Sequence, residues 1–593
     1  MPNHSALAKE LTELERNQEQ YDAVRELGHC IVLAGPGSGK TKTLTIAMAR
    51  TLIEDISEPR GVACITYNNE CAIELESRLA KLGIKSSDRS FIGTVHSFAL
   101  TQVILPYARC IPGLLPDNFR VATGNETKDA IKVSYSFIFN DAGDPNERWR
   151  LAEQKRRRDV DRSLPSWRIL NPELANFIEA YEAQLRLKGL IDFDDMPLIA
   201  FRIIKEHLWI RNALLARFPV LFVDEYQDLG HALHELVLLL CFESGIRLFA
   251  VGDLDQSIYS FNGANPNLLQ NLTQRVDIKN YHLRFNYRSG AKIIRASLGA
   301  LGEERDYHTA SSHTGGELSY WPVQGNHDLQ ANQIARTVLP SLIIKGFIPE
   351  QIAILYRAAW LGDKVAKALE QADSAFIRTD GNALVKRSSR LARFIEACAC
   401  WVSGGWCDAN PPYSRLMSQA ISIVFGSFAR ESEKQALSLQ LMVFLHSGIG
   451  MKEFTHPWLQ RFNRELIEPW KAISRNIHQE WEVCIEMIRR TDPTMNLDMP
   501  LKIFAGRIEG SGRVTLSTLH SAKGREFDAV VLFGINKGDI PNWRDNKSEQ
   551  ALNEARRLFY VGVTRPRKEL CLVFREGQHS TWVMELFQRS QKE

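Results

Sequence analysis

No apolar run in this 593-residue chain approaches the length of a bilayer span, and the N-terminus, Met1-Pro-Asn-His-Ser-Ala, has no basic-then-apolar leader. A cytoplasmic protein with no membrane contact is therefore expected. Cysteine is sparse: ten residues, scattered without paired spacing, which excludes a disulfide-framed scaffold and fits a reducing compartment. Only Cys398, Cys400 and Cys407 cluster, and the setting Ala397-Cys-Ala-Cys-Trp-Val402 reads as helix core in preference to a metal site. A charge excess of either sign is also missing. With 73 Lys+Arg against 70 Asp+Glu, a polyanionic partner could be met only by a local groove. Apolar bulk is ample: 44% hydrophobic residues can bury several cores, and roughly 150 residues per domain suggests about four.

The most informative stretch is Ile31-Val-Leu-Ala-Gly-Pro-Gly-Ser-Gly-Lys-Thr41. Ile31 to Ala34 reads as a buried strand and Lys42 to Thr51 as a helix, with a glycine-rich turn between them. Gly35, Gly37 and Gly39, with Ser38, let backbone N–H groups point inward, and the helix N-terminus favours anions. Lys40 is placed to reach the β- and γ-phosphates of a nucleoside triphosphate, and the Thr41 hydroxyl to bind Mg²⁺. Ala34 stands where the first glycine of such a loop is usual. That position closes the strand, so the change is tolerated.

Upstream, Arg16 to Val24 is helical, and the Gln20 amide offers the donor–acceptor pair that an adenine edge needs. Downstream, Tyr67 closes the apolar strand Gly61–Tyr67 and His96 lies in the stretch Phe91–Phe98, both just past strand ends, where open α/β sheets place ligands and where aromatic rings can stack on bases. The run Val220-Leu-Phe-Val-Asp-Glu-Tyr-Gln-Asp228 delivers Asp224 and Glu225 at a strand tip, one carboxylate for Mg²⁺ and one to orient or deprotonate water. The chain between Lys40 and Asp224 exceeds what one sheet needs. An insertion is therefore expected over 105–188, with the basic run Lys155-Arg-Arg-Arg158 read as a solvated face, phosphate contact being the minority alternative. In Gly252 to Ala264, Gln256 sits beside the nucleotide with Tyr259 and Phe261 just beyond it, joining a γ-phosphate sensor to base-stacking rings. Tyr287-Arg288 pairs a stacking ring with a phosphate-reaching guanidinium.

The second half repeats the plan with short buried strands at Gln351–Arg357, Arg513–Thr518, Asp528–Gly534 and Glu569–Phe574. A helical stretch rich in tryptophan separates the first of these from the second. No phosphate loop occurs here. Arg556-Arg-Leu-Phe-Tyr-Val-Gly-Val-Thr-Arg565 supplies arginines in its place, in the manner of a finger acting on the nucleotide. Two cores with one nucleotide between them would form a hinge.

With these residues in hand the chain resembles the UvrD/Rep type of superfamily 1 DNA helicases along nearly its full length. The resemblance is carried by Asp-Glu-Tyr-Gln-Asp at 224–228, Gly-Asp-x-Asp-Gln-Ser-Ile-Tyr ending at Tyr259, Asn286-Tyr-Arg-Ser289, His520-Ser-Ala-Lys-Gly524 and the run ending at Arg565. It implies an α/β fold with two RecA-like parallel-sheet cores, each bearing a largely helical insertion. The expected subdomains are 1–104 with 189–282 (first core), 105–188 (first insertion), 283–386 with 506–593 (second core) and 387–505 (second insertion). It further implies a 3′-to-5′ motor on single-stranded DNA or 3′-tailed duplex, with ATP and Mg²⁺ as cofactors. Gln20 would read adenine and Tyr287 stack on it, Gln256, Arg288 and Arg565 would contact the γ-phosphate, and Glu526 would lie near the ribose. DNA contacts would fall on Tyr67, His96, Tyr259, Phe261 and His520.

Three positions depart from the family pattern: Glu70 where a base is usual, Asn262 for an arginine, and Arg525 for a leucine. Fewer cations near the DNA would weaken phosphate contacts. With only 28 residues following Arg565, a C-terminal nuclease domain is not expected. A rival expectation follows: a DNA-dependent ATP switch that regulates a partner nuclease, as in two-gene phage-defence systems of the Gabija type.

Overall fold

The computed structural model describes residues 4–66, 69–84, 89–116, 118–259, 265–310, 315–380, 384–385, 389–408, 411–426, 429–449, 453–474, 478–494, 499–505 and 513–591. Two compact units are present. The first comprises Met1–Glu317, Ile540–Lys568 and Ser580–Glu593, and the second Leu318–Asp539 and Glu569–His579.

The first unit is built on a six-stranded sheet of β1 (His29–Ala34), β2 (Val62–Thr66), β3 (Ser90–Thr94), β4 (Val220–Val223), β5 (Arg247–Gly252) and β6 (Ile278–Leu283). Its order is β3-β2-β4-β5-β1-β6 and every adjacent pair is parallel. Alternate residues of each inner strand enter opposite cores. Ile31, Ala63, Ile65, Leu221, Val223, Leu248 and Ala250 join one; Cys30, Val32, Val62, Cys64, Val220, Phe222, Phe249 and Val251 join the other. That two-sided burial explains why these strands read as unbroken apolar runs. β6 lies at the edge and alternates instead, with Lys279, Asn280 and His282 exposed. Its polar positions hide it from a search for buried strands.

Between β3 and β4 the chain is largely helical. The helices Gly124–Phe139, Pro145–Arg158 and Pro172–Leu187 share a core of Tyr135, Phe139, Trp167 and Phe177, and a short parallel bridge of Arg120–Val121 with Leu190–Ile191 clasps the ends of this stretch. The basic run lies here and is solvated in its second half only: Arg158 is exposed and Arg157 half-buried, while Lys155 and Arg156 are buried. Arg156 is buried against Glu182, Asp192 and Asp195 at 2.8–3.0 Å, while Lys155 pairs with Asp159 and lies over the Trp167 ring. The partners of Arg156 are acids far along the chain, so local charge density does not reveal that this residue is buried.

The second unit holds, but for Glu317 and Pro566–Lys568, a sheet of β7 (Glu317–Val323), β8 (Ile352–Tyr356), β9 (Phe376–Arg378), β10 (Val514–Thr518), β11 (Phe527–Phe533) and β12 (Pro566–Arg575), in the order β7-β12-β11-β8-β10-β9. The pairs β8–β10, β8–β11 and β9–β10 are parallel. The tryptophan-rich stretch forms a separate helical core in which Trp458 and Trp470 are fully buried, with Trp401 and Trp481 beside them. Cys398 belongs to that core, and among the described residues no three His, Cys, Asp or Glu side chains come together as a metal site. Among the described residues, no helix is long and apolar enough to cross a membrane.

Candidate nucleotide site and nucleic-acid contacts

The carboxyl edge of the first sheet gathers the chemistry. β1 runs into the loop Gly35–Gly39 and the helix Lys40–Arg50, whose N-cap Gly39 adopts φ 89° while Gly37 adopts φ 71°. These left-handed conformations favour glycine. The Ser38 hydroxyl closes the turn by donating to the Gly35 carbonyl at 2.7 Å. Gln20 lies beneath the loop, buried, its Nε2 donating to the Ser38 carbonyl and to Thr43 Oγ1, each at 3.0 Å. Its amide nitrogen is thus committed to supporting the loop. Asn17 caps the same short helix and donates to the Tyr287 hydroxyl at 2.9 Å, and the Tyr287 N–H donates to the Gly37 carbonyl at 2.8 Å. Gln20, expected to read an adenine edge, and Tyr287, expected to stack on the ring, therefore both bind carbonyls of one loop, with the Tyr287 ring partly exposed.

Opposite the loop, β4 ends in Asp224 and Glu225. Burial and the neighbouring Glu225 push the Asp224 carboxyl up to about 7. Glu225 sits at φ 49°, a conformation that costs a non-glycine residue roughly 1–3 kcal/mol and is typical of functional turns. β5 ends in Asp253, which burial pushes up to about 6 against the pull of Lys40. The Lys40 ammonium stands 3.7 Å from both Glu225 Oε2 and Asp253 Oδ2, buried, with no hydrogen-bond partner among the described residues. A buried ammonium held short of direct contact with two carboxylates, at a helix N-terminus, suits a polyanion between them. Asp224, buried without full charge compensation, with the Thr41 hydroxyl in the first helical turn, forms an oxygen donor set that suits Mg²⁺.

A polar network ties these groups together. Gln227, fully buried, donates to Glu225 through Nε2 and accepts the Asp253 N–H at 2.9 Å through Oε1. Gln256 donates to Asp253 and accepts from Arg565 Nη2 at 3.2 Å. Arg565, 1% exposed, also donates to the Val561 carbonyl and Thr564 Oγ1, and Arg288 Nη1 donates to the Thr564 carbonyl at 3.3 Å. Asn286 Oδ1 accepts from the N–H groups of Arg288 and Ser289. Lys40, Asp224, Glu225, Gln256, Arg288 and Arg565 thus meet within one unit. Gln227 was missed because its role lies in two contacts that its neighbours in sequence do not reveal.

Among the expected DNA contacts, His96 follows β3 and stacks on Phe193 with ring centroids 3.7 Å apart and planes 21° from parallel. Burial, helped by Arg157, lowers its pKa to about 4, so the ring is neutral. Phe193, 57% exposed, extends that aromatic surface to solvent and was not singled out from sequence. Tyr259 is half-buried beyond Gln256. His520 and Glu526 belong to the second unit. There burial lowers the His520 ring to about 4, with Arg357 and Lys523 adding to the effect. Arg525 is turned onto its own unit, donating to Thr379 Oγ1 at 3.1 Å and lying over the Phe527 ring. Tyr67, Phe261 and Asn262 lie outside the described residues, as does the Glu70 side chain.

A parallel sheet whose carboxyl edge joins a glycine loop, a buried lysine, paired acids and inward arginines defines a phosphate-loop nucleoside triphosphatase. Residues 16–277 match the UvrD/REP helicase N-terminal domain and residues 499–577 the UvrD-like helicase C-terminal domain, together more than half of the chain. The chain belongs to the UvrD/Rep-type superfamily 1 helicases, ATP-hydrolysing enzymes that use ATP with Mg²⁺. It is 26% identical to the ATP-dependent DNA helicase PcrA of Leuconostoc citreum, over 94% of this chain and 81% of that protein. To the ATP-dependent DNA helicase Rep of Escherichia coli (strain K12) it is 27% identical, over 93% and 90% respectively.

Proposed function

We propose that the chain is an ATP-dependent single-stranded-DNA translocase and 3′-to-5′ DNA helicase. The observation that carries this reading is the continuous path from Lys40 through Asp253 and Gln256 to Arg565, which links the phosphate-binding lysine to an arginine more than 500 residues away. In this reading the loop N–H groups and Lys40 hold the phosphates, and Thr41 and Asp224 hold Mg²⁺, which supplies charge neutralisation and orients the phosphates. Glu225 positions and deprotonates the attacking water. Gln256 reports the γ-phosphate state to Tyr259, and Arg288 and Arg565 stabilise charge as it develops. Gln20 reads the adenine, Tyr287 stacks on it and Glu526 lies near the ribose. Tyr67, His96, Tyr259, Phe261 and His520 line the strand. We also propose four subdomains: 1–104 with 189–282, 105–188, 283–386 with 506–593, and 387–505.

Strand displacement on 3′- and 5′-tailed duplexes tests the reading. Displacement confined to the 3′-tailed substrate is the expected result, and displacement confined to the 5′-tailed substrate reverses the polarity. DNA-stimulated ATP hydrolysis without displacement would replace the motor by an ATP switch serving a partner nuclease.

Phe193 gives a second, more local test. Its exposed ring continues the His96 stack, and a base–aromatic contact is worth about 1–3 kcal/mol. Phe193→Ala is expected to weaken oligo(dT) binding about tenfold, measured by fluorescence anisotropy, while basal ATP hydrolysis stays unchanged. Unaltered oligonucleotide affinity would remove this pair of rings from the DNA path.

A further inference from the structure

The segment following the helix Ala291–Leu301 returns along the phosphate loop as a strap pinned on both sides of one residue. On one side Arg305 grips Asp255 with both guanidinium arms, Nε to Oδ2 at 2.8 Å and Nη2 to Oδ1 at 2.7 Å. On the other, the His308 N–H donates to the Arg284 carbonyl at 2.8 Å and the Ala310 N–H to the Asn286 carbonyl at 3.1 Å, so His308–Thr309 pair in parallel with Phe285–Asn286. Between these anchors is Tyr307. Its ring lies so close over Gly35 that a Cβ built there would stand 2.5 Å from Cζ and 2.8 Å from the hydroxyl oxygen. Gly35 is also the residue whose carbonyl accepts the Ser38 hydroxyl that closes the loop.

Gly35 does not need glycine for its backbone, because its φ lies outside the left-handed range that Gly37 and Gly39 occupy. It needs glycine because Tyr307 fills the space. The same phenol faces Asp253, Asp255 and the buried Tyr560, the groups between Lys40 and Arg565. One anchored segment therefore touches the base of the phosphate loop through Tyr307 and the sensor turn through Arg305.

We propose that Tyr307 is a positioning residue that holds the phosphate loop in its nucleotide-accepting form, with Arg305 fixing the strap to the sensor turn. The inference rests on the nucleotide-site reading above and does not depend on DNA polarity or unwinding. Tyr307 touches the loop backbone and acts through it.

The test uses the full chain and a fluorescent ATP analogue, because equilibrium binding reports the loop whether or not ATP is turned over. Tyr307→Ala is expected to weaken analogue binding and raise KM for ATP about tenfold, with kcat within about threefold of wild type; Tyr307→Phe, which keeps the ring, should leave both unchanged. Gly35→Ala should weaken binding at least as much, and the double variant Gly35→Ala/Tyr307→Ala should bind more tightly than Gly35→Ala alone, since the clash has been removed. Unchanged binding in Tyr307→Ala, or a double variant no better than Gly35→Ala, would overturn the proposal. If Gly35→Ala does not fold, the Tyr307 pair alone decides. Binding of the analogue without any ATP turnover in the wild type would count against the motor reading and leave the strap test intact.

Discussion

Replacing Glu225 by Gln is expected to leave a chain that binds ATP and single-stranded DNA yet turns over ATP about 10³–10⁴-fold more slowly, the upper range for loss of a general base. The substitution keeps shape and an acceptor for Gln227, so the bridge from Gln227 to Asp253 survives. It leaves the φ 49° turn unchanged in cost, because both residues carry a Cβ. What it removes is a carboxylate able to accept a proton, along with the like charge that, after burial, does most to raise the Asp224 carboxyl. Asp224 should therefore be more fully ionised in the variant, and Mg²⁺-dependent nucleotide binding at least as strong. Lys40 keeps Asp253 as its counter-charge at 3.7 Å. A fall in kcat with an unchanged analogue affinity is the signature to look for in steady-state and binding assays. Turnover near the wild-type rate would place water activation on another group.

How much of this was legible in the sequence follows from where the partners lie. The phosphate loop and the Asp224-Glu225 tip are each encoded in a few consecutive residues, with an apolar strand before them, so composition and order locate them. The parallel sheets were legible for the same reason: strands buried on both faces are continuous apolar runs, and the structure divides their alternate residues between two cores. Contacts made across the fold were not. Gln227 reads as one polar residue in a turn, Arg305 as one charge in Glu303-Glu304-Arg305-Asp306, and Tyr307 as a lone aromatic; each acquires a role only when its strand or strap is laid beside the loop. Gln20 was singled out for an adenine edge, whereas its buried amide nitrogen supports Ser38 and Thr43, a use invisible without the loop's curvature. The basic run 155–158 shows the reverse error. Four consecutive cations suggest solvent or phosphate, and only the acids at 182, 192 and 195 reveal that Arg156 faces inward.

That inward arginine leads to the second large effect: Arg156→Ala is expected to destabilise the region 145–195 by about 3–5 kcal/mol, the usual result of removing one partner from a buried ion cluster. The remaining cations do not share the load evenly. Arg162 still pairs with Glu182 and Arg186 with Asp195, but Asp192 loses both guanidinium contacts, at 2.8 and 3.1 Å, and keeps, among the described residues, the Tyr181 hydroxyl and the Asp195 N–H. In the wild type, burial acts against the Asp192 carboxylate and Arg156 outweighs it, holding its pKa below the ordinary value. Its stabilising contribution is then present above the ordinary carboxylate range and fades as pH falls through the lowered value. In Arg156→Ala the sign reverses. A buried carboxylate without its guanidinium is raised, the folded state takes up a proton, and stability falls as pH rises through that raised value. The variant should therefore regain part of its loss at about pH 5 relative to about pH 8, where loss of packing alone would show no such recovery. Arg156→Lys should rescue little, because an ammonium cannot reproduce the forked contacts to Asp192 together with those to Glu182 and Asp195. Hydrogen exchange over 145–195 reads this locally, which matters in a chain of two units where a single unfolding transition is not assured. The functional consequence follows from Phe193, which sits between Asp192 and Asp195 and supports the His96 stack. Loosening that turn should lower DNA stimulation of ATP hydrolysis while leaving nucleotide binding at the loop unchanged.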